Sequence, residues 1–295
     1  MFVLMSIATA YSLRVCYRKR ARFRAFEALD SCTRPREVAM SRQAQIVELL
    51  LEHGFTSVSD LAAHFDVTES TIRRSLTELE ARDLVQRTHG GALPVGQVDA
   101  PFDLKQSLHR PEKEAIGKAM AHRILDGQTV LLDSGSTTLE VARNLRGRQL
   151  TVVTNDLLVG ATIAEKQNAH LVFIGGELLP NVYTMWGPTS IQQLENLRVD
   201  VAVFGADTVT ESGIFNTSSY ELEIKRTMRS VATEAFFVAD SSKFGREALF
   251  KVFDLESFSA GITDDYMEPM RAAQFPVPLI RVRPQESLAA SSRRR

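Results

Sequence analysis

Val130-Leu131-Leu132-Asp133-Ser134-Gly135-Ser136-Thr137-Thr138-Leu139 decides the fold of the larger part of this 295-residue chain. Three apolar residues predict a strand, and a helix is expected to open at about Leu139. Between them lies a loop of glycine and hydroxyl residues. Such a loop at a helix N-terminus presents backbone N–H groups and hydroxyls to an anion. It lacks the Gly-Lys-Ser/Thr ending of a Walker loop and does not follow Gly-x-Gly-x-x-Gly. A phosphate on a sugar is its natural guest. An ordinary capped strand-to-helix turn is the alternative the residues leave open.

Outward from this stretch, short apolar runs recur at residues 130–132, 150–153, 171–174, 199–204, 235–239 and 260–262, with amphipathic segments of helical length between most of them. Strands alternating with helices predict an α/β domain with a mostly parallel sheet. The runs end in polar residues: Asp133-Ser134-Gly135, Thr154-Asn155-Asp156, Gly175-Gly176-Glu177, Gly205-Ala206-Asp207, Asp240-Ser241-Ser242-Lys243 and Thr263-Asp264. Open parallel sheets bind ligands beyond the C-terminal ends of their strands. The candidate ligand-binding residues are therefore Asp133, Ser134, Gly135, Ser136, Thr137, Thr138, Asn155, Gly175, Gly176, Asp207, Lys225, Asp240 and Lys243. Lys225 and Lys243 are the candidate cations, and Asp133, Asn155 and Asp207 suit sugar hydroxyls. For Lys225 the competing reading is a surface ion pair with Glu221, one helical turn earlier.

Upstream, residues 41–93 read as three short helices and a hairpin. Ile46, Leu49 and Leu50 mark the first helix, Val58, Leu61, Ala62 and Phe65 the second, and Ile72, Leu76 and Leu79 the third. A tight turn joins the second and third, the pattern of a helix-turn-helix. Opposite the apolar stripe of the third helix lie Ser70, Arg74 and Thr77, flanked by Thr71 and Arg73. Hydroxyls bond phosphates or base edges, and arginine grips guanine with two bonds. Residues 84–91 read as a wing with Arg87 and His89 near its tip. The local charge opposes a DNA-binding reading: five Lys/Arg against eight Asp/Glu leave 5 − 8 = −3 over residues 41–93. A small helical domain with solvated charges is the alternative.

Formal net charge is −1, and hydrophobic residues make up 44% of the chain, the ordinary globular range. Length suggests about two domains. Cys16 and Cys32 are the only cysteines, so no disulfide framework or cysteine metal site is expected after residue 40, which fits a reducing cytosol. No apolar run is long enough to span a bilayer. Residues 1–40 hold eight Lys/Arg against three Asp/Glu, 8 − 3 = +5. The basic residues follow the apolar stretch 2–11, the reverse of a signal peptide. Residues 1–39 are either a basic arm along DNA or a segment outside the folded protein, disordered or untranslated, with Met40 as the start; the second is the expectation. Residues 94–111 read as a linker, 112–270 as the ligand-binding domain and 284–295 as a disordered tail. The six histidines are dispersed, and no metal site or cofactor is expected.

The run Val67-Thr68-Glu69-Ser70-Thr71-Ile72-Arg73-Arg74-Ser75-Leu76, then Leu79-Glu80 and Arg87-Thr88-His89-Gly90-Gly91-Ala92, resembles the N-terminal signature of the DeoR family of bacterial transcription regulators. The likeness continues through Thr154-Asn155, Gly175-Gly176 and Asp240-Ser241-Ser242-Lys243-Phe244-Gly245, about residues 41–265 in all. Ser75 departs from it, since the family usually has aspartate there. The resemblance implies a winged helix-turn-helix that binds double-stranded operator DNA. It also implies a sensor domain, similar to ribose-5-phosphate isomerase, that binds a phosphorylated sugar or related metabolite. A cytoplasmic homodimer or homotetramer acting as repressor is expected. An isomerase-like enzyme is the alternative. It is opposed by Phe204-Gly205-Ala206-Asp207-Thr208, which lacks the first aspartate and the glutamate of the isomerase's Asp-Gly-Ala-Asp-Glu, and by the absence of lysine from 208 to 224. A third reading makes the large domain a dimerisation module only.

Overall fold

The computed structural model describes residues 42–53, 55–82, 84–88, 90–94, 102–145, 149–179, 182–245 and 248–285. The expectations for residues 1–39 and for His89 lie outside them, as does all of the tail except Pro284 and Gln285.

The small domain forms as its periodicities predict. Helix α1 (Arg42–His53) buries Ile46 and Leu50. Strand β1 (Thr56–Ser57) leads into α2 (Val58–Phe65), whose N-cap Ser57 accepts from the Asp60 N–H at 3.1 Å. Asp66 then turns left-handed, φ +51°, which closes α2 and starts the tight turn. Helix α3 (Glu69–Glu80) is capped by Thr68 and buries Ile72, Leu76 and Leu79 completely. Strands β2 (Val85–Thr88) and β3 (Gly91–Pro94) form the hairpin, and β1 adds to β3. The third strand was not expected, because two residues are too few to show alternation.

The expected linker holds a helix, α4 (Phe102–Ser107), and α5 (Arg110–Arg123) begins before its end. Six residues give less than two turns, so no periodicity exposes α4. Its visible mark is Phe102, buried in the core of the larger domain.

That domain contains, in order, β4 (Thr129–Leu132), α6 (Ser136–Asn144), β5 (Leu150–Thr154), α7 (Leu157–Ala164) and β6 (Ala169–Phe173). A small hairpin, β7 (Glu177–Leu178) with β8 (Met185–Trp186), precedes α8 (Pro188–Glu195) and β9 (Val199–Gly205). Then come β10 (Thr208–Thr210), β11 (Gly213–Asn216), α9 (Leu222–Ser230), β12 (Ala232–Val238), β13 (Phe250–Phe253), β14 (Ala260–Asp264), α10 (Pro269–Ala272) and β15 (Leu279–Val282). Seven strands form one sheet, ordered β15-β14-β12-β9-β4-β5-β6, with every neighbouring pair parallel. The sheet thus extends past residue 270, the boundary expected from the sequence.

Both faces are covered, so the strands read as continuous apolar runs. Along β9, Val201 and Val203 enter one core while Ala202 and Phe204 enter the other. In the second core Phe204, Phe253 and Phe258 meet edge-on at 5.1 to 5.7 Å. An antiparallel sheet, β10-β11-β13, packs on that side. The chain builds outward from β4 through β5 to β6, then returns to β4's other edge with β9. The strand order therefore reverses between β4 and β9, and a crevice opens beyond their C-terminal ends.

Candidate functional site: an anion cleft and a DNA-reading surface

The crevice is a cleft of about 720 Å³, counting the part open to solvent. Its floor is the loop from β4 to α6. Gly135 caps α6 at φ +130°, a conformation that disfavours a side chain, and the helix has no side-chain cap. The first-turn N–H groups of a helix have no acceptor within it. Those of Ser136, Thr137 and Thr138 therefore have no acceptor within α6. Ser134, Gly135, Ser136 and Thr137 line the cleft, while Thr138 is fully buried and donates to the Gly135 carbonyl at 2.8 Å, holding the loop's shape.

Charge surrounds this floor. Lys105, Lys113, Lys225 and Lys243 line the cleft, as do Asp156, Asp207 and Glu221. The competing reading of Lys225 as a surface pair is overturned: its side chain is 5% exposed and ion-paired to Asp133, itself buried. Burial would lower the Lys225 pKa, but the carboxylates of Asp133 and Glu221 hold it above the ordinary lysine value. Burial pushes Glu221 up, and Glu221 accepts from Ser134 Oγ at 3.0 Å and Asn216 Nδ2 at 3.4 Å. Asp207 is opposed by burial yet held well below the carboxylate range by Lys105, Lys243 and Lys225. Asp156 caps α7 through the N–H groups of Leu158 and Val159, and burial still pushes it up to about 6. Burial lowers Lys113 to about 8.

Seven of the expected ligand residues line the cleft: Ser134, Gly135, Ser136, Thr137, Asp207, Lys225 and Lys243. The other six stand behind it. Asp133 anchors Lys225 and accepts from the Gly205 N–H at 3.2 Å. Thr138 clasps the loop. Asn155 donates to the Met185 carbonyl at 2.8 Å and so holds the β7–β8 hairpin, whose residues Val182, Tyr183 and Thr184 line the cleft. Gly175 accepts from Ser190 Oγ at 2.7 Å, and a Cβ on Gly176 (φ +157°) would lie 2.1 Å from that oxygen; both glycines seat α8. Asp240 lies under Lys113 and Lys243, whose charges outweigh burial and lower its pKa.

Sequence reasoning missed Phe102, Lys105, Lys113, Asp156, Tyr183, Asn216 and Glu221 on the cleft. One signal was present. Lys113 shares a helical stripe with buried Ile116, Gly117 and Met120, a place where a lysine needs a partner. The acid and base groups missing from the isomerase-like motif are also not missing from space, because Glu221 and Lys225 arrive from α9 and the turn before it. The motif comparison alone therefore does not set an enzyme aside.

On the small domain, Ser70, Arg73, Arg74 and Thr77 lie exposed on α3, and Thr71 is half-buried. Arg73 pairs with Glu69 at 2.8 Å, and Arg74 reaches Glu78 at 4.0 Å. Arg87 folds back from β2 to Thr77 Oγ1, at 2.8 Å, and Glu80, at 3.7 Å, tying wing to helix. Exposed pairs of this kind contribute at most about 1 kcal/mol. A DNA phosphate can displace them. These three pairs take up three of the eight acids and are neutral, so the net −3 of residues 41–93 is carried by the other five acids and two arginines, 2 − 5 = −3.

Two known domains match this chain. The DeoR-like helix-turn-helix domain matches residues 42–97, and the DeoR C terminal sensor domain matches 108–265. The chain belongs to the DeoR family. It is a DNA-binding transcription regulator, not an enzyme. Among its relatives, transcriptional repressor AccR of Agrobacterium fabrum is 36% identical over 228 residues, 76% of this chain and 88% of that protein. The glycerol-3-phosphate regulon repressor of Escherichia coli K12 is 32% identical over 226 residues, 76% of this chain and 90% of its own. Of solved structures, ribose 5-phosphate isomerase A from Methanocaldococcus jannaschii aligns with 45% of this chain and 53% of its own, at 20% identity and a TM-score of 0.34. Among the described residues of this DeoR-family chain, no helix is long and apolar enough to cross a membrane.

Proposed function

We propose that this regulator is a repressor whose effector is a phosphorylated sugar or a closely related phosphorylated metabolite. The observation that carries the reading is the uncapped N-terminus of α6, opening onto a cleft with four lysines at the strand-order reversal. The helix end and lysines take the phosphate, while Asp207, Glu221 and Asp156 accept from hydroxyls. The naming of one relative for a glycerol-3-phosphate regulon supports the same ligand class.

The operator face is Ser70, Thr71, Arg73, Arg74 and Thr77 with the wing's Arg87 and His89. One recognition helix and wing give limited affinity, and paired half-sites one helical turn or a multiple apart raise it. The working form is therefore a cytoplasmic homodimer or homotetramer that needs no cofactor. The effector acts by binding one arrangement of the DNA-reading domains more tightly than another.

A thermal-shift panel of sugar phosphates against the full chain tests the effector. A ligand at a hundred times its dissociation constant adds about 2.7 kcal/mol when it binds only the folded state. The expected result is a shift with one phosphorylated compound, absent with its unphosphorylated form and lost in Ser136→Ala/Thr137→Ala. No shift with any phosphorylated compound removes the effector class and leaves the DNA-binding assignment in place.

A further inference from the structure

Residues 98–107 fall between the two domain matches, 42–97 and 108–265. Helix α4 lies in that gap, yet two of its residues, Phe102 and Lys105, line the cleft. The Phe102 ring meets that of Tyr183 edge-on at 5.3 Å, joining α4 to the hairpin over the cleft. Lys105 Nζ lies 3.2 Å from Asp207 Oδ1, with each side chain 24% exposed. The buried Lys113 ammonium donates to the backbone carbonyls of Lys105 and Leu108, tying the end of α4 to α5. The segment joining the two domains is therefore a wall of the cleft, held by groups that themselves face it.

We propose that the connector helix is part of the effector site: Phe102 and Lys105 contact the bound metabolite, whose anion takes Lys105 from Asp207. The inference rests on the phosphorylated-effector reading above. A phosphate dianion offers more charge and more acceptor oxygens than one carboxylate, and the Lys105–Asp207 pair is open enough to water to exchange. Only seven residues, 95–101, separate α4 from β3 of the wing. A change of partner at Lys105 is thus made on the segment that leads into the DNA-reading domain. It supplies the differential contact that any effector-driven shift requires.

The test is calorimetric titration of the full chain with glycerol 3-phosphate, ribose 5-phosphate, fructose 6-phosphate and inorganic phosphate, on wild type, Lys105→Met, Lys105→Arg and Ser136→Ala/Thr137→Ala. Amide hydrogen exchange over residues 102–113, with and without the tightest of these probes, is read alongside. Loss of a hydrogen bond to a charged group predicts about tenfold weaker binding in Lys105→Met, and most of it returns in Lys105→Arg. The probe is expected to change exchange of the α4 amides in wild type and to leave them unchanged in Lys105→Met. Wild-type affinity in Lys105→Met, with binding lost in Ser136→Ala/Thr137→Ala, overturns this inference and spares the effector reading. If no probe binds wild type, the effector reading falls and takes this inference with it. If Lys105→Met fails to fold, unchanged α4 exchange in probe-bound wild type is the overturning result.

Discussion

On α3, Arg73 and Arg74 hold their acids in water; in the cleft, Lys225 holds Asp133 in the core. Both regions set cations against carboxylates, but solvent makes the same chemistry differ in cost. The α3 pairs are one turn apart and exposed, so either partner can leave with little loss. Asp133 and Lys225 are 92 positions apart, and each is nearly inaccessible. Removing Lys225 would leave the Asp133 carboxylate in the interior without its ion-pair partner. The DNA-reading surface is an exchangeable layer on a finished domain, whereas the buried Asp133–Lys225 pair is part of what makes its domain fold.

Three measurements press on that difference. The largest effect is expected from Lys225→Met. Stranding the Asp133 carboxylate should lower unfolding stability by about 3–5 kcal/mol, read by urea denaturation. A loss below about 1 kcal/mol would erase the contrast with α3. The second concerns Lys113. Burial lowers its pKa to about 8, below its unfolded value, so the folded chain gives up this proton first and its charge fades as pH rises through 8. Between pH 7 and 9 an alkyl phosphate stays a dianion, since its second pKa is near 6. Phosphate-probe affinity should therefore fall over that range in wild type and flatten in Lys113→Met. The linked stability change has the opposite sign: the cost of burying a charged Lys113, present at pH 7, is relieved between pH 8 and the unfolded lysine value. The smallest structural effect belongs to Arg74→Ala. Stability should move by less than about 0.5 kcal/mol. The slope of log affinity for duplex DNA against log salt should drop by about one unit if Arg74 contacts a phosphate. An unchanged slope would place it off the backbone.

The same difference sets what the sequence could tell. The α3 surface was readable because exposure follows local periodicity: Ile72, Leu76 and Leu79 fix the buried side, and Ser70, Arg74 and Thr77 follow. Six of the seven main strands were readable, β15 being the exception, because a sheet covered on both faces writes itself as apolar runs. The loop from Asp133 to Thr138 was readable because a glycine and hydroxyls between strand and helix have a local meaning. The cleft's second wall was not. Glu221 and Lys105 reach it only through packing; Lys225 was legible as a candidate cation but its pairing with Asp133 was not, and no spacing links residues 105, 133, 207 and 225. Gly175 and Gly176 were misplaced for a related reason. A glycine at a strand end can admit a ligand or another side chain, and here the neighbour is Ser190.

The pairing of β4 also orders events during synthesis. The elements of the winged domain all lie within residues 42–94, so it can fold once that stretch leaves the ribosome. Strand β4, inside the sheet, gains its second neighbour only when residues 201–203 emerge to pair with Val130, Leu131 and Leu132. Until then the nascent chain carries a DNA reader with no completed cleft, and β4 presents an unsatisfied edge of apolar residues. Such late, long-range closure folds slowly and exposes sticky surface. Variants that delay β9 should therefore fail by aggregation of the sensor half while the DNA-reading half remains native.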